Sequence, residues 1–154
     1  MTERIQISNS IPAAFTAFLA TATEVTKAAT DAGVDPVLIE LVKIRASQVN
    51  ACAYCLDMHI TDALNLGEDP RRIHLLPAWR ETELYSEQER AALELTETIT
   101  RLSETRDVPD DVYEYATKVF TESQYQAVVW LIMIINSFNR LAVPGRPRLP
   151  RRAA

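Results

Sequence analysis

The sequence has little of what marks a β-protein, a disulfide-rich protein or a nucleic-acid-binding protein. Only three glycines occur in 154 residues, and stretches in which apolar and polar residues alternate are scarce. The two cysteines lie three residues apart, and a disulfide that closes so small a loop would constrain the unfolded chain very little. The formal net charge is −5, so there is no basic excess for binding nucleic acid. What remains is the composition of an ordinary globular domain, 47% apolar and 24% charged.

Long apolar runs are also absent. The longest, residues 127–135 (AVVWLIMII), is too short to span a bilayer and predicts a buried helix. The early segment 11–22 (IPAAFTAFLATA) follows polar residues and lacks the basic start of a signal peptide, so it predicts an amphipathic helix instead. We therefore expect a cytoplasmic protein that binds neither membranes nor nucleic acid.

Helix signals recur along the chain and predict an all-α fold of about seven helices. The predicted helices run from Ser10-Pro12 towards Gly33, from Asp35-Pro36 to about Val49, from the cap Asn50 to Gly67, from Asp69-Pro70 to a break at Pro77, from Glu87 to Ser103 after a capping box at Ser86, from Pro109 onward, and from the capping box Thr121–Gln124 to about Leu141.

No change in composition divides the chain, so residues 1–143 are predicted to form one helical domain. Residues 144–154 (PGRPRLPRRAA) are rich in proline and arginine, and proline opposes a helix throughout this segment. We expect this tail to extend over a neighbour or to stay loose.

The stretch 50–59 (NACAYCLDMH) holds both cysteines and one of the two histidines. On a helical wheel Cys52, Cys55 and His59 share one face, which predicts that they point to the interior. That face also carries Leu56, Ile60, Ala63 and Leu66. Cys55 and His59 are four residues apart, so their side chains lie within possible hydrogen-bond reach.

Glu40 interrupts the apolar stripe of the preceding helix. A buried carboxylate without a partner is unfavourable, so it must pair or take up a proton. Its nearest basic candidate is His59 on the next helix. A salt bridge within its own helix, to Lys43 or Arg45, is the weaker interpretation because these residues do not share one face with Glu40.

The two cysteines, His59 and Glu40 are the residue types that a reactive thiol site requires. The thiolate is the nucleophile, and two devices could lower a cysteine pKa here: a helix N-terminus, which favours Cys52, and an imidazole base, which favours Cys55. We favour Cys55 as the attacking thiol because a proton acceptor at that spacing is a specific arrangement. Cys52 is then the resolving thiol, and Glu40 orients His59 as the acid of a nucleophile, base and acid set.

Two other interpretations compete with a redox dithiol, namely ordinary packing and a zinc site. Cys52, Cys55 and His59 supply three zinc ligands, whereas a structural site needs four. The sequence has no second CxxC or HxxH, so the fourth ligand would be Glu40 or come from another subunit. We therefore predict no metal and no cofactor.

The pattern Glu-x11-Cys-x-x-Cys-x3-His, here Glu40, Cys52, Cys55 and His59, resembles the signature of the AhpD-like alkylhydroperoxidases of the carboxymuconolactone decarboxylase family. The similarity extends over residues 36–143 and includes LIELVKIRASQVNACAYCLDMH, PAWRET, YSEQERAALELTE and INSFNRLAV. Tyr54 departs from it, because the best-known AhpD branch has a histidine between the cysteines.

The resemblance implies an all-α fold assembled as trimers or hexamers, with thiol peroxidase or disulfide reductase activity. It implies that Cys55 is the peroxidatic cysteine, that Cys52 resolves it, and that Glu40 and His59 relay the proton. A hydroperoxide is then the substrate, and a lipoyl or thioredoxin-like dithiol is the external reductant. Alternative functions are a thiol-disulfide oxidoreductase and a non-catalytic oligomeric module whose dithiol senses redox state.

Overall fold

The computed structural model describes residues 2–8 and 10–150, which form eight α-helices and one 3₁₀-helix without a β-strand. The all-α prediction is confirmed. The helices are α1 Pro12–Asp31, α2 Pro36–Val49, α3 Ala53–Asn65, α4 Pro70–Leu75, α5 Glu87–Thr100, α6 Leu102–Thr105, α7 Asp110–Val119 and α8 Glu122–Gly145, with the 3₁₀-helix Leu76–Glu81 between α4 and α5.

Four of the predicted helix starts are confirmed by their caps. The carboxylates of Asp35 and Asp69 accept backbone N–H groups at the starts of α2 and α4, at 2.7 and 2.8 Å. Ser86 and Thr121 each form a complete capping box with the glutamate or glutamine three residues later, which fixes the starts of α5 and α8.

The starts of the first and third helices differ from the prediction. Ser10 does not cap α1, since its hydroxyl donates to the carbonyl of Ile7 and Ile11 is the N-cap residue. Asn50 ends α2 instead of starting α3. The chain turns at Ala51, which has a φ of 53°, and Cys52 becomes the N-cap of α3. The first cysteine therefore lies just before the helix and not within it.

The predicted fifth and last helices have different bounds in the structure. Arg101 leaves helical geometry (φ −94°, ψ 13°), so the predicted fifth helix divides into α5 and α6. The last helix continues past Leu141 to Gly145 and includes Pro144. The N-terminal segment supports this extension, since Arg4 and Gln6 donate side-chain N–H groups to the carbonyls of Pro144 and Gly145. Of the predicted tail, residues 146–150 are not helical, and residues 151–154 lie outside the described residues.

α2 is the central helix, because it packs against α3, α5 and α8 and is buried on most of its circumference. The largest group of buried side chains lies between α1, α2, α5, α7 and α8. A smaller group joins Ala46 of α2 to both cysteines and to Ile135 and Ala142 of α8. The cysteines therefore lie where α2, α3 and α8 meet.

α8 is long and apolar enough to cross a membrane by length and composition alone, but half of its apolar window is buried against the rest of the fold. Val128, Leu131, Ile132 and Ile135 are inaccessible on this buried face. The predicted buried helix over residues 127–135 is confirmed on that side. Trp130 and Met133 are exposed on the other.

Candidate active site

Cys52 and Cys55 form a buried dithiol at the start of α3. Each has only 2% of its surface exposed, and both are free cysteines. Their sulfur atoms are 2.7 Å apart, close enough for one thiol to donate a hydrogen bond to the other. The prediction that both cysteines face the interior is confirmed, although Leu66, placed on the same face by the helical wheel, is exposed.

His59 and Glu40 form the second part of the site. His59 Nδ1 lies 2.8 Å from Glu40 Oε2, and both side chains are buried. This contact joins α3 to α2 and confirms the predicted pair. A carboxylate only accepts, so Nδ1 carries a proton, and the nitrogen that can accept one is Nε2.

Glu40 also has the partner that the sequence made the weaker interpretation. Lys43 Nζ donates to Glu40 Oε1 at 2.7 Å, so the carboxylate pairs with both His59 and a lysine of its own helix. Residues three apart are neighbours on a helix surface, and the flexible lysine stem spans the remaining angle. Burial opposes ionisation of Glu40, but the hydrogen bond from His59 and the charge of Lys43 outweigh it and lower the pKa of the carboxyl below its ordinary value.

The two thiols titrate as one unit. The pKa of Cys52 is lowered to about 6, chiefly by its hydrogen bond with the Cys55 thiol. Burial acts in the opposite direction and raises the pKa. The backbone N–H groups of Cys55 and Tyr54 at the helix start lower it further. The pKa of Cys55 is raised well above its ordinary value because this sulfur keeps the shared proton. The resting dithiol therefore holds one proton and one negative charge between its two sulfurs.

Cys55 and His59 face the same cavity, which has a volume of about 470 Å³. This lies within the range of about 300–1,000 Å³ typical of small-molecule sites. The wall is mostly apolar, with Phe15, Leu131 and Phe138 among its residues, and Cys52 is not part of it. No hydrogen bond joins Cys55 to His59 within the described chain, so the predicted contact between them is not made directly.

Several residues of the site were missed by the sequence analysis. Gln6 and Ser8 from the N-terminal segment and Pro147 from the tail also line the cavity. Only contacts in the folded chain bring these residues to α3. Asn139 of α8, a buried amide that lowers the pKa of both thiols, was missed as well, although an asparagine within the apolar pattern of residues 127–139 was a usable signal.

The zinc arrangement considered from the sequence is not formed. Within the described residues, the cluster that could hold a metal ion comprises Glu40, His59 and Asp62 and contains neither cysteine. His59 Nδ1 is 3.9 Å from Asp62 Oδ2, and the ammonium group of Lys43 already bonds Glu40. A cation would therefore have to compete with Lys43 for the central carboxylate.

Fold and site together define an all-α protein with a buried dithiol beside a histidine–glutamate pair. The sequence model of the carboxymuconolactone decarboxylase family matches residues 12–98, more than half of the chain. The chain belongs to this family and is an AhpD-like member of it. The resemblance seen in the sequence is confirmed.

Similar proteins include one relative and two solved structures. The uncharacterized protein YdfG of Bacillus subtilis (strain 168) is 48% identical over 104 residues, which are 68% of this chain and 70% of YdfG. A protein of unknown function from Agrobacterium tumefaciens, described as a candidate antioxidant defence protein AhpD, is 34% identical with a TM-score of 0.86; the match covers 98% of this chain and 100% of the other.

The second structure is more distant. An uncharacterized peroxidase-related protein from Silicibacter sp. TM1040 is 20% identical with a TM-score of 0.69, and the match covers 86% of this chain and 68% of the other. At this identity the likeness shows the shared fold alone.

Proposed function

We propose that the protein is a thiol-dependent peroxidase that reduces organic hydroperoxides or hydrogen peroxide with its CxxC pair. The observation that carries the proposal is the position of Cys55. This residue lies on the cavity wall with His59, and the sulfur of Cys52 is 2.7 Å from its own sulfur. A peroxide in the cavity therefore reaches Cys55 first, and the sulfur that must form the disulfide is already adjacent.

In the first step the Cys55 thiolate attacks the outer oxygen of the peroxide. The S–O bond forms, the O–O bond breaks, and the sulfur is oxidised by two electrons to a sulfenic acid. The leaving oxygen needs a proton, which His59 supplies. Its Nε2 accepts this proton from Cys55 by way of a water or the peroxide in the cavity that both residues line. Glu40 fixes the imidazole through Nδ1 and stabilises its charged form.

In the second step the Cys52 thiolate attacks the sulfur of the sulfenic acid. The S–S bond forms, the S–O bond breaks, and the oxygen leaves with a proton as water. The pKa of Cys52, about 6, supports this role because the thiolate is available at neutral pH. Over both steps, one hydroperoxide and two thiols give one alcohol (water, if the substrate is hydrogen peroxide), one water and one disulfide.

A further turnover requires an external dithiol of the lipoyl or thioredoxin-like type. Its thiolate attacks the protein disulfide, and a second exchange releases the reduced Cys52–Cys55 pair and the oxidised reductant. We further propose a cytoplasmic homo-oligomer, the trimer or hexamer that the family resemblance implies. The exposed Trp130 and Met133 on α8 supply apolar surface for such an assembly.

The similar proteins support an antioxidant role in general terms. The description of the Agrobacterium protein names antioxidant defence. The apolar wall of the cavity supports an organic hydroperoxide as one of the substrates, because an alkyl group would be removed from water there.

A second candidate function is thiol-disulfide exchange with another disulfide as the true partner. The lowered pKa of Cys52 at a helix N-terminus favours it, since CxxC oxidoreductases depend on such a thiolate. Cys52 is 2% exposed and lies outside the cavity wall, so an exchange partner would have to enter at Cys55, as the external reductant of the peroxidase also must.

The decisive experiment adds one equivalent of cumene hydroperoxide or hydrogen peroxide to the reduced protein without oxygen. We expect peroxide loss together with the conversion of two thiols to one disulfide. Cys55→Ser should lose nearly all consumption, whereas Cys52→Ser should consume one equivalent and stop at a sulfenic acid that a dimedone-type probe traps. His74→Asn, a change at an exposed histidine, serves as the control and should behave like the parent.

Three outcomes would contradict the proposal. If Cys52→Ser abolished the first attack and Cys55→Ser did not, the roles of the two cysteines would be reversed. Turnover of a disulfide substrate with dithiothreitol but no reaction with either peroxide would favour the exchange function. A disulfide that forms without turnover of either substrate and alters assembly would favour the redox-sensing module.

A further inference from the structure

The dithiol has a polar neighbour on the side away from the cavity. Asn139 of α8 is 1% exposed, and it lies between Ile135 and Ala142, which pack in the same group as both cysteines. A buried amide next to apolar side chains is unfavourable unless all its hydrogen bonds are made. Its partners therefore indicate what the side chain does.

The orientation of the Asn139 amide is fixed by its neighbours. Asn50 Nδ2 donates to Asn139 Oδ1 at 2.8 Å, so the oxygen faces Asn50. The amide nitrogen then faces the other way, where one of its N–H groups donates to Ser47 Oγ at 3.1 Å. An asparagine amide has two such donors. The second has no oxygen acceptor among the described residues, and Ser47, which binds the first, also accepts the backbone N–H of Cys52 through its carbonyl at 2.9 Å.

We propose that Asn139 is a thiolate-stabilising residue, whose second amide N–H donates to the Cys52–Cys55 pair and holds the negative charge that forms there. The proposal rests on the proposed thiol chemistry and adds a residue outside the Glu-x11-Cys-x-x-Cys-x3-His pattern. The contact of Asn139 with the sulfurs lowers the pKa of both thiols, as such a donor should.

Asn139 and the His59–Glu40 pair have different roles on two sides of the dithiol. His59 lies on the cavity side, where a proton can pass to and from a substrate. Asn139 lies on the buried side and donates a hydrogen bond without giving up a proton. Its direct polar partners are Asn50 and Ser47, which set its direction.

The charged and ionisable groups around the pair are few. α3 contributes His59, and α2 contributes Glu40 and Lys43. α8 contributes Arg140, which is exposed and donates to Asn136. A test that changes only Asn139 leaves all four in place, so a changed titration of the thiols can be assigned to the amide.

The test measures the pH dependence of alkylation of the reduced protein by iodoacetamide, with no peroxide present. Asn139→Leu removes the donor at similar size, and Asn139→Asp keeps the shape but replaces the donor with an acceptor. The matched control is Asn136→Leu. Asn136 is a second buried amide of α8, and like Asn139 it accepts a hydrogen bond from Asn50. Its own N–H groups donate to Thr100 and to the Ile132 carbonyl and not to the sulfurs.

We expect Asn139→Leu to raise the midpoint of alkylation by about one pH unit, a tenfold loss of thiolate below that midpoint. Asn139→Asp should raise it further, and Asn136→Leu should leave it unchanged. Because the reduced form loses stabilisation, the disulfide of Asn139→Leu should also be about tenfold more resistant to reduction in a dithiothreitol equilibrium.

The proposal is wrong if Asn139→Leu folds with the parent midpoint, or if Asn136→Leu shifts the midpoint equally. It is also wrong if neither Asn139 variant folds, since the side chain would then act as structural support. None of these measurements uses a peroxide. A shifted midpoint in a protein that consumes no peroxide would reject the peroxidase and keep the role of Asn139, and the reverse result would reject Asn139 alone.

Discussion

His59 Nδ1 donates to Glu40 Oε2 across 2.8 Å and links α3 to α2 behind the cavity wall. The carboxylate receives Lys43 on its other oxygen, so it stays ionised despite burial. This pair of contacts fixes one tautomer of the imidazole and leaves Nε2 as the proton acceptor. The proposed deprotonation of Cys55 depends on that arrangement.

Glu40→Gln should slow peroxide consumption at neutral pH by about tenfold to a hundredfold. General-base assistance is typically worth about 10²–10⁴, and Glu40 contributes only part of it because it acts through His59. The glutamine can still accept a hydrogen bond from Nδ1, but it no longer stabilises the imidazolium. The measurement is the rate of peroxide loss against pH. Glu24→Gln, at an exposed position of α1, is the control. An unchanged pH profile in Glu40→Gln would remove Glu40 from the proton relay.

Cys55→Ala should raise the pKa of Cys52, because the largest cause of its lowered value is the hydrogen bond from the Cys55 thiol. Cys55→Ser keeps a donor at that position and should therefore have a smaller effect. The thiolate of Cys52 can be followed by its ultraviolet absorbance over pH 5–10. If Cys52 titrates near pH 6 in Cys55→Ala, the helix start and Asn139 lower its pKa without help from Cys55.

The local signals in the sequence predicted the fold well, because helix caps act within four residues of the chain. Asp35, Asp69, Ser86 and Thr121 each bond a backbone N–H close by, and each starts a helix as predicted. The misplaced start of α3 has a different origin. The turn at Ala51 requires a positive φ that the sequence NAC did not signal.

The candidate site was predictable where its residues lie on α3 or on the helix directly before it in the chain. The spacing of Cys52, Cys55 and His59 correctly predicted that all three side chains are buried. The position of Glu40 on an apolar face correctly predicted its pairing with His59. Asn139 could not be placed beside the thiols, because no pattern within α8 tells which residues of α2 and α3 it meets. The apolar cavity could not be predicted either, because its wall combines residues from α1, α2, α3, α8 and both terminal segments.

Gln6→Ala should make Cys55 react faster with bulky thiol reagents, while small reagents such as iodoacetamide should be little affected. Gln6 lines the cavity and donates to the carbonyl of Gly145 at 2.8 Å, so it holds the N-terminal segment over the site. The ratio of the two alkylation rates is the measurement. Gln126→Ala removes an exposed glutamine that bonds Glu122 and is the control. An unchanged ratio would mean that the N-terminal segment does not limit access to Cys55.

Glu97→Gln should lower stability at neutral pH and weaken the loss of stability in acid. Glu97 is buried and accepts from Arg45, Trp79 and Arg80, at 2.7, 2.9 and 2.7 Å. Burial opposes its ionisation, but these donors lower its pKa from 4.5 to about 2. A depressed carboxyl pKa stabilises the fold above the unfolded value of 4.5, and this stability is lost as the pH falls towards 2.

The size of the effect follows from the same pKa. A carboxyl whose pKa falls from 4.5 to about 2 on folding adds about 3 kcal/mol to the free energy of unfolding at neutral pH. Glutamine does not ionise and cannot supply this contribution. Urea unfolding at pH 7 and at pH 3 measures the difference between the two proteins, which should shrink at the lower pH. Glu94→Gln is the matched control, because Glu94 also bonds Arg80 but is partly exposed, and surface ion pairs contribute about 0–1 kcal/mol. Equal losses in both variants would show that burial of Glu97 adds nothing to the strength of its ion pairs.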